Sequence, residues 1–223
     1  RDQPRSRGLG DVYKRQILDF DGTMADTQSL IVATMQQTVE ALGLAFRSKE
    51  QCAAMIGLPL KQTFTKLIPM TSEMGDKCAE KYTEIFIRNN TKDAVPLFPN
   101  VLETIKELKH RGCIVTIASS RSKASLLEYV NRFELNDYIS YIVSANDVVN
   151  AKPHPEPVLK TLQYLNIDAA DAVVVGDTSF DILMGKRAGC KAVGVSYGNG
   201  TIVDLQESGA DYVIDDFKKL LEI

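Results

Sequence analysis

The chain lacks any apolar run long enough to cross a bilayer. Stretches such as Ala172 to Val175 fall far short of the ~20 residues a spanning helix needs. Paired cysteines are also missing: Cys52, Cys78, Cys113 and Cys190 lie far apart, with no CxxC. A structural zinc site needs clustered ligands, and a disulfide scaffold is a shorter, cysteine-denser chain. The expectation is four reduced, mostly buried thiols in a cytoplasmic protein. Neither sign of charge dominates. With 26 Lys+Arg against 29 Asp+Glu the net charge is -3, which gives no electrostatic reason to expect nucleic acid or an acidic membrane surface as partner. What remains is an ordinary globular balance, 44% hydrophobic and 25% charged, which argues against disorder. Its 223 residues suit one domain with a large insert, or two modest ones.

Residues 1–16 stand apart. RDQPRSRGLGDVYKRQ is rich in Arg and Gly, with neither period-2 nor period-3.6 hydrophobicity. It lacks the apolar centre of a signal peptide. Asp11 to Gln16 also reads as the in-frame translation of a transposase end sequence of the kind ligated onto DNA in library preparation. Residues 1–16 are therefore expected to be a non-native or disordered tail, with the first strand missing its native opening residues.

From Ile17 the pattern changes. Ile17 to Thr23 reads as a buried strand running into a Gly-containing turn. Helical patterns follow at Ser29 to Leu42, Ser48 to Met55, Leu60 to Leu67 and Ser72 to Asn89, separated by Gly43, Gly57-Leu58-Pro59 and Pro69. After Pro96 and Pro99 helices and strands alternate. Helices are expected at Val101 to Arg111, Lys123 to Phe133, Pro155 to Leu165 and Ser179 to Ala188. Strands are expected at Cys113 to Ala118, Tyr141 to Ser144, Ala172 to Val175 and Lys191 to Val195. Such alternation implies right-handed crossovers and a parallel sheet covered on both faces. The predicted fold is α/β: a doubly wound, Rossmann-like parallel-sheet core (17–25 plus 96–223) with an inserted all-helical cap (26–95).

Ligands of such sheets bind beyond the carboxyl ends of the strands, and four segments put polar residues there. In Asp19-Phe20-Asp21-Gly22-Thr23 a period of two aims both carboxylates one way. Two like charges so close call for a cation or a proton. Thr116 to Ala118 runs into Ser119 and Ser120, hydroxyls at a strand end. In Lys152-Pro153-His154-Pro155 the prolines stiffen the loop and fix Lys152 as a point charge suited to phosphoryl oxygens; His154 is read as structural or solvent-facing. Val173 to Val175 delivers Asp177, and Asp181 follows one helical turn later. Any one of these could be a turn, a cap or a surface charge. Their joint order is what carries chemistry.

Taken together, DFDGT at Asp19 to Thr23, Ser119, Lys152 and GDTSFD from Gly176 to Asp181 resemble the four motifs of the haloacid dehalogenase-like hydrolases, in the branch with a helical cap after the first motif. Gly57 to Leu60 and Val195 to Gly198 look like its phosphoglycolate phosphatase-like group. The resemblance implies a magnesium-dependent phosphatase that hydrolyses a small phosphorylated metabolite, phosphoglycolate leading, through an aspartyl phosphate. It implies Asp19 as nucleophile and Asp21 as acid and base. It implies Mg²⁺ on a carboxylate oxygen of Asp19, the backbone carbonyl of Asp21 and the carboxylate of Asp177. Gly22, Thr23, Ser119, Ser120 and Lys152 would bind substrate, with Asp181 orienting the metal shell or Lys152.

The resemblance also sorts the alternatives. Asp21 stands where dehalogenases and phosphonate hydrolases lack an aspartate. The histidine and arginine usual in sugar-phosphate mutases fall here on Ile31 and Leu60. A sugar-phosphate phosphatase or mutase, a pyrophosphatase, and a non-catalytic binding protein on the same fold remain as rival readings. Lys61, Lys66, Lys81 and Arg88 are candidate grips for a second anionic group, though solvated helix charges are the plainer reading; Tyr82 and Phe86 read as cap core.

Overall fold

Valine-rich segments and the amphipathic helices between them fold as the patterning predicts. The computed structural model describes residues 14–223. The expectation of a tail therefore falls, for residues 1–13, outside the described residues. For Arg15 and Gln16 the expectation of disorder is corrected: the first strand, β1, is Arg15–Leu18. Its ladder continues to Lys14, whose carbonyl accepts the Ile114 N–H at 2.8 Å. Backbone pairing needs no particular side chain, so a polar opening still enters the sheet. Gln16 is fully buried, in register with Val115 and Val173.

The other strands are β2 (Ile114–Ala118), β3 (Ile139–Val143), β4 (Ala172–Gly176), β5 (Lys191–Val195) and β6 (Tyr212–Ile214). All described pairings are parallel, in the order β3-β2-β1-β4-β5-β6. Strand order reverses between β1 and β4, which opens a crevice beyond their carboxyl ends. Asp19 and Asp177 follow those two strands directly. The short β6 escaped the sequence reading because three residues give too few alternations to show a period.

Between β1 and β2 lie five helices: α1 (Gln28–Ala41), α2 (Lys49–Ala53), α3 (Leu60–Leu67), α4 (Ser72–Asn89) and α5 (Val101–His110). The first four form the insert. Thr71 caps α4 by accepting the Met74 N–H. Along that helix Cys78, Tyr82, Ile85 and Phe86 are buried, a spacing that lays one apolar stripe against its neighbours. Tyr82 stands between Phe64 and Phe86, with ring centroids 6.0 and 5.7 Å away. The chain enters and leaves the insert through paired segments. The Asp26 N–H donates to the Pro96 carbonyl at 2.9 Å, the Phe98 N–H donates to the Met24 carbonyl at 3.0 Å, and Ala25 bridges Leu97. Insert and sheet share one apolar core that includes Phe20, Phe86 and Tyr129. Helices α6 (Lys123–Arg132), α7 (Glu156–Leu165), α8 (Ser179–Arg187) and α9 (Ile202–Glu207) complete the crossovers. All four cysteines are free and buried, as expected. No described helix is long and apolar enough to cross a membrane.

Candidate active site

Strand β1 ends at Leu18, and the Asp19 N–H still pairs with the Val175 carbonyl at 2.9 Å. That bond fixes Asp19 against β4. Beyond it the ladder stops: the Met24 and Ala25 N–H groups both turn back to the Phe20 carbonyl. Both carboxylates still line one cavity, but each takes its own cationic partner. Asp19 turns to Lys152, whose Nζ lies 2.5 Å from its Oδ1. Asp21 is gripped by Arg121, whose Nε donates to both carboxylate oxygens at 2.8 Å.

Lys152 is the hub of the buried cluster. Its Nζ also donates to Asp181 Oδ1 at 2.6 Å. The other oxygen of Asp181 caps α8, accepting the Thr178 N–H at 3.1 Å and the Thr178 hydroxyl at 2.7 Å. Asp181 is thus both the capping residue and the charge partner that the sequence left as alternatives. The Lys152 loop is held by the Arg187 guanidinium on the Pro153 carbonyl at 2.9 Å. His154 faces outward and accepts the Glu156 N–H at Nδ1.

Asp177 is held from the far side. Its Oδ2 accepts the Asn199 N–H at 2.6 Å and the Asn199 side-chain amide at 2.8 Å; the Thr23 hydroxyl lies 3.3 Å from Oδ1. Two glycines make this approach possible. At Gly22, with φ +81°, a Cβ would lie 2.1 Å from Asp177 Oδ2; at Gly198 it would lie 2.4 Å from the Gly22 carbonyl oxygen.

Carboxylate oxygens of Asp19, Asp177 and Asp181 lie within 4.8 Å of one another, all buried. Burial pushes the Asp19 carboxyl well above the usual range, against the pull of Lys152 and with further upward push from the neighbouring aspartates. Burial, then Asp181, raise Asp177 to about 7, against the Asn199 hydrogen bonds. Burial works against the Lys152 ammonium too, but Asp181 and Asp19 more than offset it and raise its pKa. One ammonium does not balance three carboxylates. Asn199 Oδ1 is also buried without a hydrogen-bond partner, beside Asp177. An all-oxygen donor set with excess negative charge fits a hard divalent cation such as Mg²⁺. The sequence named the carboxylates of Asp19 and Asp177 and the main-chain carbonyl of Asp21 as metal ligands; the carboxylates gathered are Asp19, Asp177 and Asp181, while the Asp21 carboxylate pairs with Arg121.

A cavity of about 610 Å³ opens above the strand ends, lined by Asp19, Asp21, Ser119, Ser120 and Arg121 on the sheet side and by the insert on the other. Four proposed substrate contacts are engaged by the protein itself. Thr23 is fully buried and, with Gly22, supports Asp177 instead. Ser120 lines the cavity but donates its hydroxyl to the Gly57 carbonyl of the insert at 2.7 Å. Lys152 is buried within the carboxylate cluster rather than on the wall. Ser119 faces the cavity, its Oγ accepting the Arg121 N–H at 3.3 Å. Lys61 pairs with Asp76 and Lys81 with Glu84, Lys66 and Arg88 are exposed, and none of the four lines the cavity. Tyr82 and Phe86 are core, as expected, and wall as well.

Sequence reasoning missed two residues. Arg121 follows Ser119 and Ser120 at the end of β2, a crevice position where a charged residue is a signal in itself. Its guanidinium carbon lies 5.0 Å from the ring centroids of both Phe86 and Tyr129, and its Nη1 reaches Ser125 at 2.9 Å. Asn199 sits in a loop after β5 and carried no such signal.

Comparison with known proteins agrees with this architecture. The model of a family described as haloacid dehalogenase-like hydrolase matches residues 16–195. The probable phosphatase IndB of Dickeya dadantii (strain 3937) is 33% identical over 208 residues, covering 92% of this chain and 90% of the relative. The pyrophosphatase PpaX of Oceanobacillus iheyensis is 31% identical over 207 residues, covering 93% and 94%. A crystal structure from Bacteroides fragilis, assigned to the haloacid dehalogenase-like hydrolases, superposes with a TM-score of 0.89 at 25% identity, covering 93% of this chain and 99% of that one. With the four motifs at the strand ends and a family match over most of its length, the chain belongs to the haloacid dehalogenase-like hydrolases.

Proposed function

We propose that the chain is a Mg²⁺-dependent phosphatase that hydrolyses the phosphate monoester of a small metabolite in two displacements. The observation that carries this reading is Asp19, a carboxylate at the reversal point of the sheet, 2.5 Å from a buried ammonium and open to the cavity. An Asp19 oxygen attacks phosphorus and the bond from phosphorus to the ester oxygen breaks, which gives an aspartyl phosphate. Asp21 gives a proton to the departing oxygen. It then takes one from a water whose oxygen attacks phosphorus, and the bond to Asp19 breaks to release phosphate. Arg121 now holds both oxygens of Asp21, so the grip opens at one of them when substrate enters. Ser119, on the cavity wall, binds a phosphoryl oxygen, and Lys152 offsets the phosphoryl charge from behind Asp19. Asp19, Asp177 and the main chain at Asp21, with Asp181 beside them, would hold Mg²⁺, which would supply the positive charge that lets a phosphate dianion approach carboxylates.

The test is phosphate release from p-nitrophenyl phosphate. Activity with Mg²⁺, none with a chelator, and a loss of about 10⁴-fold or more in Asp19→Asn with unchanged circular dichroism are expected. Full activity in that variant would end the nucleophile assignment. Independently of turnover, Mg²⁺ should raise the melting temperature of the wild type and leave that of Asp177→Asn unmoved. The names of the PpaX relatives make pyrophosphate the second reading, and the same assay with pyrophosphate decides it.

A further inference from the structure

The cavity that serves this reaction is walled on the insert side by carbon. Met35, Met55, Leu58, Leu60, Phe86 and Ile87 face it, and Ile87 is 72% exposed, an isoleucine left in solvent at the mouth. Four of the polar side chains that line the cavity give their hydrogen bonds back to the protein. Thr63 donates to the Leu58 carbonyl and Thr83 to the Ala79 carbonyl. Asn90 accepts from Tyr129 and Arg132 and donates to Glu128. Ser120 donates to Gly57. Among the described residues Arg121 is the one Lys or Arg on the wall. Its Nε is taken by Asp21, its Nη1 by Ser125 and its faces by aromatic rings. A carboxylate, a second phosphate or a row of sugar hydroxyls would lose water here and find few free partners. At about 610 Å³ the space also far exceeds what a two-carbon acid fills.

Building on the phosphatase reading, we propose that the alcohol esterified to the phosphate is bulky and apolar, an alkyl or arylalkyl group that seats against the insert. The phosphoryl group lies at the polar strand ends, and carbon fills the rest.

The experiment measures kcat/KM for ethyl, hexyl and benzyl phosphate, 2-phosphoglycolate, glucose 6-phosphate and pyrophosphate, with Mg²⁺. Ethoxide and hexoxide are leaving groups of similar strength, so their ratio reports the wall and not the chemistry. Hexyl phosphate should exceed ethyl phosphate by about 10-fold or more, and 2-phosphoglycolate by about 100-fold. Leu60→Lys and Ile87→Lys sit at half-exposed and exposed positions, where a lysine need not disrupt folding. Both should lower the hexyl-to-ethyl ratio by about 10-fold, a change that loss of folded protein does not imitate. A flat ethyl-to-hexyl series, or preference for 2-phosphoglycolate, glucose 6-phosphate or pyrophosphate, overturns the apolar leaving group and leaves the phosphatase standing. Failure to release phosphate from any ester, p-nitrophenyl phosphate included, overturns both.

Discussion

At the sheet end of the cavity a lysine lies within 2.6 Å of two carboxylates, with a third among them; at the insert end the wall is methionine, leucine and phenylalanine. The two ends are built differently. The three clustered carboxylates of the floor are fixed by the backbone: Asp19 by its bond to Val175, Asp181 by capping α8, and Asp177 by the loop after β5. Position there follows from the ladder, and little can shift without breaking it. The roof is placed by side-chain packing through α1, α3 and α4, joined to the sheet by one pair of linkers at Ala25 and Leu97. Rigid charge below and repackable carbon above separate the reaction from the choice of substrate.

Removing the charge that centres the floor should have the largest effect. In Lys152→Met, Asp19 and Asp181 would share a buried space without a cation. Breaking a buried ion pair by deleting one partner costs about 3–5 kcal/mol, to be read from urea midpoints at pH 7. A variant as stable as the wild type would show that the floor tolerates its own negative charge and would weaken the case for a metal there.

A smaller effect belongs to the boundary between the two ends, where Arg121 reaches from the strand end to Phe86 of the insert. Lysine keeps the charge but loses the planar fork and the ring contacts. If Arg121 acts by positioning Asp21, Arg121→Lys should lower kcat for ethyl phosphate by about 100-fold. It should do so far less for p-nitrophenyl phosphate, whose leaving anion needs no proton, with KM moving little. An equal loss for both esters would mean that Arg121 acts elsewhere.

The same contrast explains what the sequence revealed. The floor was legible because strand ends, Gly22 and the spacing from Asp177 to Asp181 are local patterns, and the doubly wound order follows from alternating elements. The separate partners of Asp19 and Asp21 were not legible, because Lys152 and Arg121 lie 133 and 100 residues away along the chain and no local pattern announces either pairing. Arg121 and Asn199 come from other strand ends, brought close only by the sheet order. The roof was legible as helices, yet which side chains face the cavity depends on how α4 meets α1 and α3. The insert's lysines therefore drew attention that its methionines and Ile87 carry in the structure.

The last and smallest effect lies at the opposite edge of the sheet and controls for the others. Asp211 precedes β6 at the amino ends of the strands, where Lys186 and Lys191 each approach it at 2.8 Å and the Ala192 N–H donates at the same distance. Burial works against its charge, but those hydrogen bonds win and bring the carboxyl from 3.8 down to about 2. A carboxyl depressed in the folded state contributes stability that is present above its unfolded value and lost as pH falls through the folded one. Because both lysines are part-exposed, solvent screening limits the contribution to about 1 kcal/mol. Asp211→Asn should therefore lower stability by about that amount from neutrality down to roughly pH 4. The difference from the wild type should vanish as the pH approaches 2, with kcat/KM unchanged because the reaction takes place at the other end of the strands. A loss of activity without loss of stability would show that the two edges of the sheet are coupled, and the separation of floor from scaffold would then fail.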